Sequence, residues 1–198
     1  MNEIIKGMLE RRSIRKYEDK QVPEKLLQQI LEVGLYAPCA GGRQSSFMVV
    51  CQDDAINRSL GKVKSAAFKG RYSTADRYIS KEQPSIADDQ NLQDAFYGAP
   101  TVVTIFSPKD FLFGGQDASC MAENMLLAAH SLGIASCFVG SAGEAFNCEL
   151  GQELLQKWEI PGNYHADVQV LLGYGKDAII PIAKARKENR IIRIKKGM

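Results

Sequence analysis

The sequence predicts an α+β fold, with a short central sheet of four to five strands, mixed or antiparallel, flanked by helices. Three observations lead there. Apolar runs of strand length, Phe47–Cys51 and Thr101–Phe106 among them, lie far apart in the chain. Segments with apolar residues at helical spacing fall between them, the longest at 116–132. No Gly-x-Gly-x-x-Gly follows a first strand, which removes the doubly wound nucleotide-binding alternative. No repeat, low-complexity run or linker interrupts the 198 residues, so residues 1–198 are expected to form one domain around one core.

The elements follow in order. Residues 2–10 read as a short amphipathic helix, with Ile4, Ile5, Met8 and Leu9 on one face. Pro23 suits a first helical position, and Leu26, Leu27, Ile30, Leu31 and Leu35 recur at helical spacing up to Pro38. Cys39-Ala40-Gly41-Gly42 is a loop of small residues, followed by the strand Phe47–Cys51. Residues 54–96 are mixed and polar, and are expected to hold helices and a mobile excursion. Gly98-Ala99-Pro100 introduces the strand 101–106. In 116–132, Ala118, Met121, Ala122, Met125, Leu126, Ala129 and Leu132 make a face broad enough for a central, buried helix. Strands at 135–139 and 168–172 flank a helix at 149–158, and the isoleucines interleaved with arginines in Arg190–Ile194 suggest a fifth strand.

Composition excludes several classes of function. With 25 basic and 23 acidic residues the net charge is +2, which gives no global attraction to nucleic acid or membrane. The basic tail from Lys184 carries seven Lys/Arg against one Glu, but its interleaved isoleucines read as a strand with basic flanks rather than a nucleic-acid arm. The five cysteines include no Cys-x-x-Cys, and there are only two histidines, so no metal site is expected. Free thiols fit a reducing, cytoplasmic setting. The N-terminus has Glu3 and Lys6 where a signal peptide needs an apolar core. The most apolar stretch, 118–140, is broken by polar residues and cannot span a bilayer.

The chemistry is concentrated in Arg11-Arg12-Ser13-Ile14-Arg15. Three guanidiniums and a hydroxyl within five residues match the oxygens of a phosphate. A solvated basic surface has the same composition, and Arg15 alone could pair with Glu18 or Asp19. No Ser, Cys or His stands in a nucleophile motif, and no phosphate-binding loop or zinc-protease motif occurs.

Five segments, in order, resemble the nitroreductase family of FMN-dependent oxidoreductases. RRSIRKY at 11–17 is similar to the opening RRSxRxF segment, and APCAGGRQ at 37–44 to the APSxxNxQ loop. FYGAP at 96–100 leads into a strand, residues 116–140 resemble the long core helix and the strand after it, and LLGYGKDAIIPIAKARK at 171–187 resembles the LGYP…KxR ending. The resemblance implies a homodimer with FMN at the subunit interface. Arg11, Arg12 and Ser13, with Lys184 and Arg186, would hold the phosphate end. Arg15 would lie near the pyrimidine edge of the flavin, and Gly140 and Ser141 would form the turn whose backbone N–H faces flavin N5. Asn91 matches a flavin-contacting Asn by its spacing from Pro100. Pro38, Cys39 and Ala40 would approach the flavin held mainly by the other subunit. Cys39 stands where Ser is usual and Gly42 where Asn is usual.

The activity implied is electron transfer from NAD(P)H through FMN to a nitroaromatic, quinone or similar small acceptor, by a ping-pong mechanism. It needs no protein nucleophile, and none is assigned. A dehalogenating or flavin-fragmenting enzyme of the same fold, or a flavin-binding regulatory protein, are the alternatives. Residues 188–196 are expected to pack on the partner subunit.

Overall fold

The computed structural model describes residues 1–68, 80–89, 91–178 and 180–194. The strands are β1 (Phe47–Cys51), β2 (Thr101–Pro108), β3 (Ala135–Val139) and β4 (Tyr164–Gly173). They lie in the order β1-β2-β4-β3, with every neighbouring pair antiparallel. The helices are α1 (Glu3–Glu10), α2 (Glu24–Leu35), α3 (Asp54–Phe68), α4 (Gly114–Ser131) and α5 (Glu149–Lys157). Helices α2 and α4 cover one face of the sheet. The other face packs against α3, α5 and a 3-10 turn at Ala142–Phe146.

The apolar face expected on α4 is the one that is buried, from Ala118 through Met121, Ala122, Met125 and Leu126 to Ala129. Each large side chain there contributes about 1.5–3 kcal/mol by leaving water. Pro23 differs from its expected place. It is the N-cap of α2, with an extended ψ of 139°, and its carbonyl accepts the N–H groups of Leu26 and Leu27. Its fixed φ suits either position. Strand β4 begins four residues earlier than the apolar run, because an irregularity between Ile105 and Phe106 skips Asp167 and lets Ala166, His165 and Tyr164 keep pairing with β2. No helix among the described residues is long and apolar enough to cross a membrane.

The fifth strand is corrected. Among the described residues the sheet has four strands, and Ile191, Ile192 and Ile194 are 79–86% exposed. The edge beside β3 is already taken. Ser13 bridges Ser136 there, and the Ile14 N–H donates to the Ser136 carbonyl at 2.9 Å. That contact draws residues 11–15 alongside β3.

Helix α3 organises the other approach to that place. Asp53 caps it, its Oδ1 accepting the Ile56 N–H. Gly61 lets the turn at 94–98 come close: its carbonyl accepts the Ala95 N–H, and a Cβ there would meet Asp94 Oδ1 at 1.8 Å. Asp94 in turn accepts the N–H groups of Phe96 and Gly98. Gly61→Ala is therefore expected to displace Asp94 and destabilise the fold by about 1–3 kcal/mol. Thermal unfolding measures this, and an unchanged Tm would contradict the packing argument. Of the expected excursion, residues 69–79 (Tyr72 and Tyr78 included) lie outside the described residues.

Candidate functional site

Segments distant in sequence meet beside the edge of β3 that Ser13 bridges. Arg11, Arg12, Ser13, Arg15, Lys184 and Arg186 all line one cavity of about 240 Å³. Five of these six are cations. The carboxylate there, Asp88, accepts the Ser85 N–H and hydroxyl. Arg12 is partly committed elsewhere, because its Nη1 donates to the carbonyls of Leu9 and Arg11 at the end of α1. Arg11 differs: its Nη1 is buried and has no hydrogen-bond partner among the described residues. A buried guanidinium donor left unpaired is costly.

A second cavity, of about 190 Å³, is lined by Arg15, Lys64, Tyr97, Cys137, Gly140 and Ser141 among others. Arg15 lines both, so the two adjoin. Its side chain turns inward, Nη1 donating to the Gln83 carbonyl at 3.1 Å, while its backbone N–H donates to Gln83 Oε1. Among the described residues it makes no ion pair with Glu18 or Asp19. Tyr97 and Ser141 both adopt left-handed backbone, φ 55° and 53°. That conformation is strained for residues with a Cβ, and such strain gathers at functional sites.

The acids in this second cavity stay protonated at neutral pH. Burial pushes Tyr97 up to about 12, although its hydroxyl accepts the Ile86 N–H. Burial also raises the Cys137 thiol, against the pull of Arg15. Sequence reading missed Lys64. It is fully buried, and its Nζ donates to the carbonyls of Gly140 at 2.7 Å and Ser141 at 2.6 Å. Burial lowers this ammonium to about 7. A signal existed: Asn57, Leu60, Gly61, Lys64 and Ser65 are buried at helical spacing, so the lysine falls on the inner face.

The other candidate residues lie elsewhere. Pro38, Cys39 and Ala40 line neither cavity. Their loop is held by Asp117, whose Oδ1 accepts the Ala40 N–H at 3.0 Å. Gly42 has φ 63°, a left-handed position that glycine and asparagine share most readily. That accounts for Gly in place of the usual Asn. Asn91 is exposed, bonds through its N–H to Asp89, and lines neither cavity. Among the described residues no cluster of three His, Cys, Asp or Glu could hold a metal.

Known proteins resemble this chain in sequence and in fold. The family model described as "Nitroreductase family" matches residues 8–176. The chain belongs to the nitroreductase family. Among its relatives is a protein of Archaeoglobus fulgidus named as an NADH dehydrogenase/NAD(P)H nitroreductase. It is 32% identical over 177 residues, covering 89% of this chain and 88% of that one. A nitroreductase of Bacteroides fragilis solved with bound FMN is similar over 98% of this chain and 100% of its own, at TM-score 0.80 and 28% identity. A nitroreductase of Desulfitobacterium hafniense, also with bound FMN, gives the same coverages and TM-score at 25% identity. The nitroreductase family match ends before Lys184 and Arg186, so their place beside Arg11 rests on the geometry of the cavity.

Proposed function

We propose that this chain is an FMN-dependent oxidoreductase, passing electrons from NAD(P)H to a nitroaromatic, quinone or similar small acceptor. The observation that carries the reading is the convergence of Arg11, Arg12, Arg15, Lys184 and Arg186 on one cavity. A phosphate monoester, with about −1.5 to −2 charges and three acceptor oxygens, matches that donor set. FMN, when bound, supplies the redox chemistry, accepting two electrons from the nicotinamide and returning them to the acceptor.

The chain's own residues would bind, orient and tune. Arg11, Arg12, Ser13, Lys184 and Arg186 hold the phosphate end. Arg15, between the two cavities, sets a cation beside the ring, where reduction adds negative charge. The turn at Gly140-Ser141 presents backbone to the ring without a bulky side chain. Protonated Tyr97 and Cys137 add no competing negative charge. A flavin with Arg15 on one side needs no protein nucleophile.

The working unit in this reading is a homodimer. Ile4, Ile5, Met8 and Leu9 on α1 are each more than half exposed, and the helix buries none of its residues within the chain. An eight-residue helix with a solvated apolar face is marginal alone. A second copy would cover it, and would bring its Pro38-Cys39-Ala40 loop toward this flavin. Exposed Ile191, Ile192 and Ile194 fit the same role.

The absorption spectrum of the purified protein tests the reading. Flavin bands are expected, bleached anaerobically by NADH or NADPH and restored by a nitroaromatic or quinone. A protein that stays colourless after incubation with FMN sinks it.

A further inference from the structure

Lys64 is the feature of the site that the proposed function leaves without a task. A fully buried lysine is costly, yet this one spends two donors on consecutive carbonyls of a strained turn. We propose that Lys64 is a positioning residue for the redox end of the site: its ammonium clamps the Gly140 and Ser141 carbonyls and so fixes and charges the turn that faces the flavin. The inference rests on the reading that this turn lies against bound FMN.

The geometry explains how the clamp acts. With Ser141 at φ 53° and ψ 47°, successive carbonyls point the same way, as they do in a helix, and one cation can take both. Each peptide is planar and trans. Fixing the Gly140 carbonyl therefore fixes the Ser141 N–H on the opposite side, and fixing the Ser141 carbonyl fixes the Ala142 N–H. A cation on the carbonyl also polarises the peptide and strengthens its N–H as a donor. Both effects favour the extra negative charge of a reduced flavin over the oxidised ring.

The surroundings make the clamp sensitive to pH near neutrality. The turn at 142–146 presents Glu144, which favours the charged lysine but does not offset its burial. Arg15, Tyr97 and Cys137 share the cavity, and the tyrosine and thiol stay neutral there. Asp94 lies against Gly61, one turn earlier on α3, and burial raises its carboxyl. On the helix itself Lys62 is exposed, and the ring of Phe68 lies 5.6 Å from Nζ. The sign for stability follows. Below pH 7 the folded and unfolded chains both carry the proton, and the burial penalty is complete. Between pH 7 and the ordinary value of 10.5 the folded chain holds fewer protons, so stability rises with pH.

The test compares the parent protein with Lys64→Met, both loaded with FMN, by flavin midpoint potential and FMN affinity from pH 6 to 9. At pH 6 the variant should keep oxidised FMN. Its ratio of reduced- to oxidised-flavin dissociation constants should rise about tenfold, seen as a more negative potential. The gap should shrink toward pH 9, as the parent loses the charge. In the flavin-free proteins, the parent should gain thermal stability between pH 7 and 9 and the variant should gain less. A variant that holds FMN at the parent's potential at every pH overturns the inference and leaves the proposed function standing. A parent that takes up no FMN overturns both. Lys64→Gln serves for the same comparison where the Met variant does not fold.

Discussion

Arg11→Ala is expected to weaken FMN binding by about 10- to 100-fold, the effect of removing a charge-assisted hydrogen bond worth about 1.5–3 kcal/mol. Arg11 rather than Arg12 is the sensitive position, because Arg12 already spends Nη1 on the carbonyls that end α1. The buried Nη1 of Arg11 makes no hydrogen bond among the described residues, so it carries no such commitment. Lys184→Ala and Arg186→Ala should each cost less, about two- to tenfold, because both side chains are exposed and screened by solvent. Fluorescence titration measures all three. Riboflavin, which lacks the phosphate, is the control: its affinity should be nearly the same for parent and Arg11→Ala. Equal FMN affinity in parent and variant would remove the phosphate assignment. Equal losses for FMN and riboflavin would show a distorted site instead.

Ile5→Glu with Leu9→Glu is expected to give a monomer that no longer retains FMN. The two side chains are 51% and 57% exposed on the apolar face of α1. In a two-fold interface each substitution occurs twice, so four carboxylates would enter one apolar surface. Covering such a side chain is worth about 1.5–3 kcal/mol, and burying an unpaired charge adds to the loss. Light scattering after gel filtration reads the mass, and absorbance of the same peak reads the flavin. A dimeric double variant would place the interface away from α1. A monomer that binds FMN as tightly as the parent would mean that one chain completes the site, and the Pro38-Cys39-Ala40 loop of a second copy would have no part in it.

Much of the fold was legible in the sequence because hydrophobic periodicity is a local signal. The buried face of α4 and the strands at 47–51 and 135–139 stand where their apolar patterns put them. Where the signal was polar it failed. The start of β4 at Tyr164–Ala166 is held by pairing to β2 rather than by apolar alternation. Helix α3 was expected only as an unplaced helix within 54–96, because its inner face carries Asn57, Gly61, Lys64 and Ser65. The tail at 190–194 interleaves isoleucine with arginine, but a strand also needs a partner, and among the described residues none pairs with it.

The candidate site divides in the same way. The basic cluster at 11–15, the small turn at 140–141 and the basic pair at 184–186 can be picked out by residue type, because phosphate binding and close backbone approach each demand particular side chains or their absence. By itself the sequence determined the family, the α+β class and those three segments. Only the tertiary structure decided that all three meet around adjoining cavities, that Arg11 keeps an unpaired donor where Arg12 does not, and that Lys64 reaches the turn from α3. The physical reason is that propensity and composition act over a few residues. A guanidinium's free donor or a lysine's buried charge depends on what the rest of the chain brings within 3 Å.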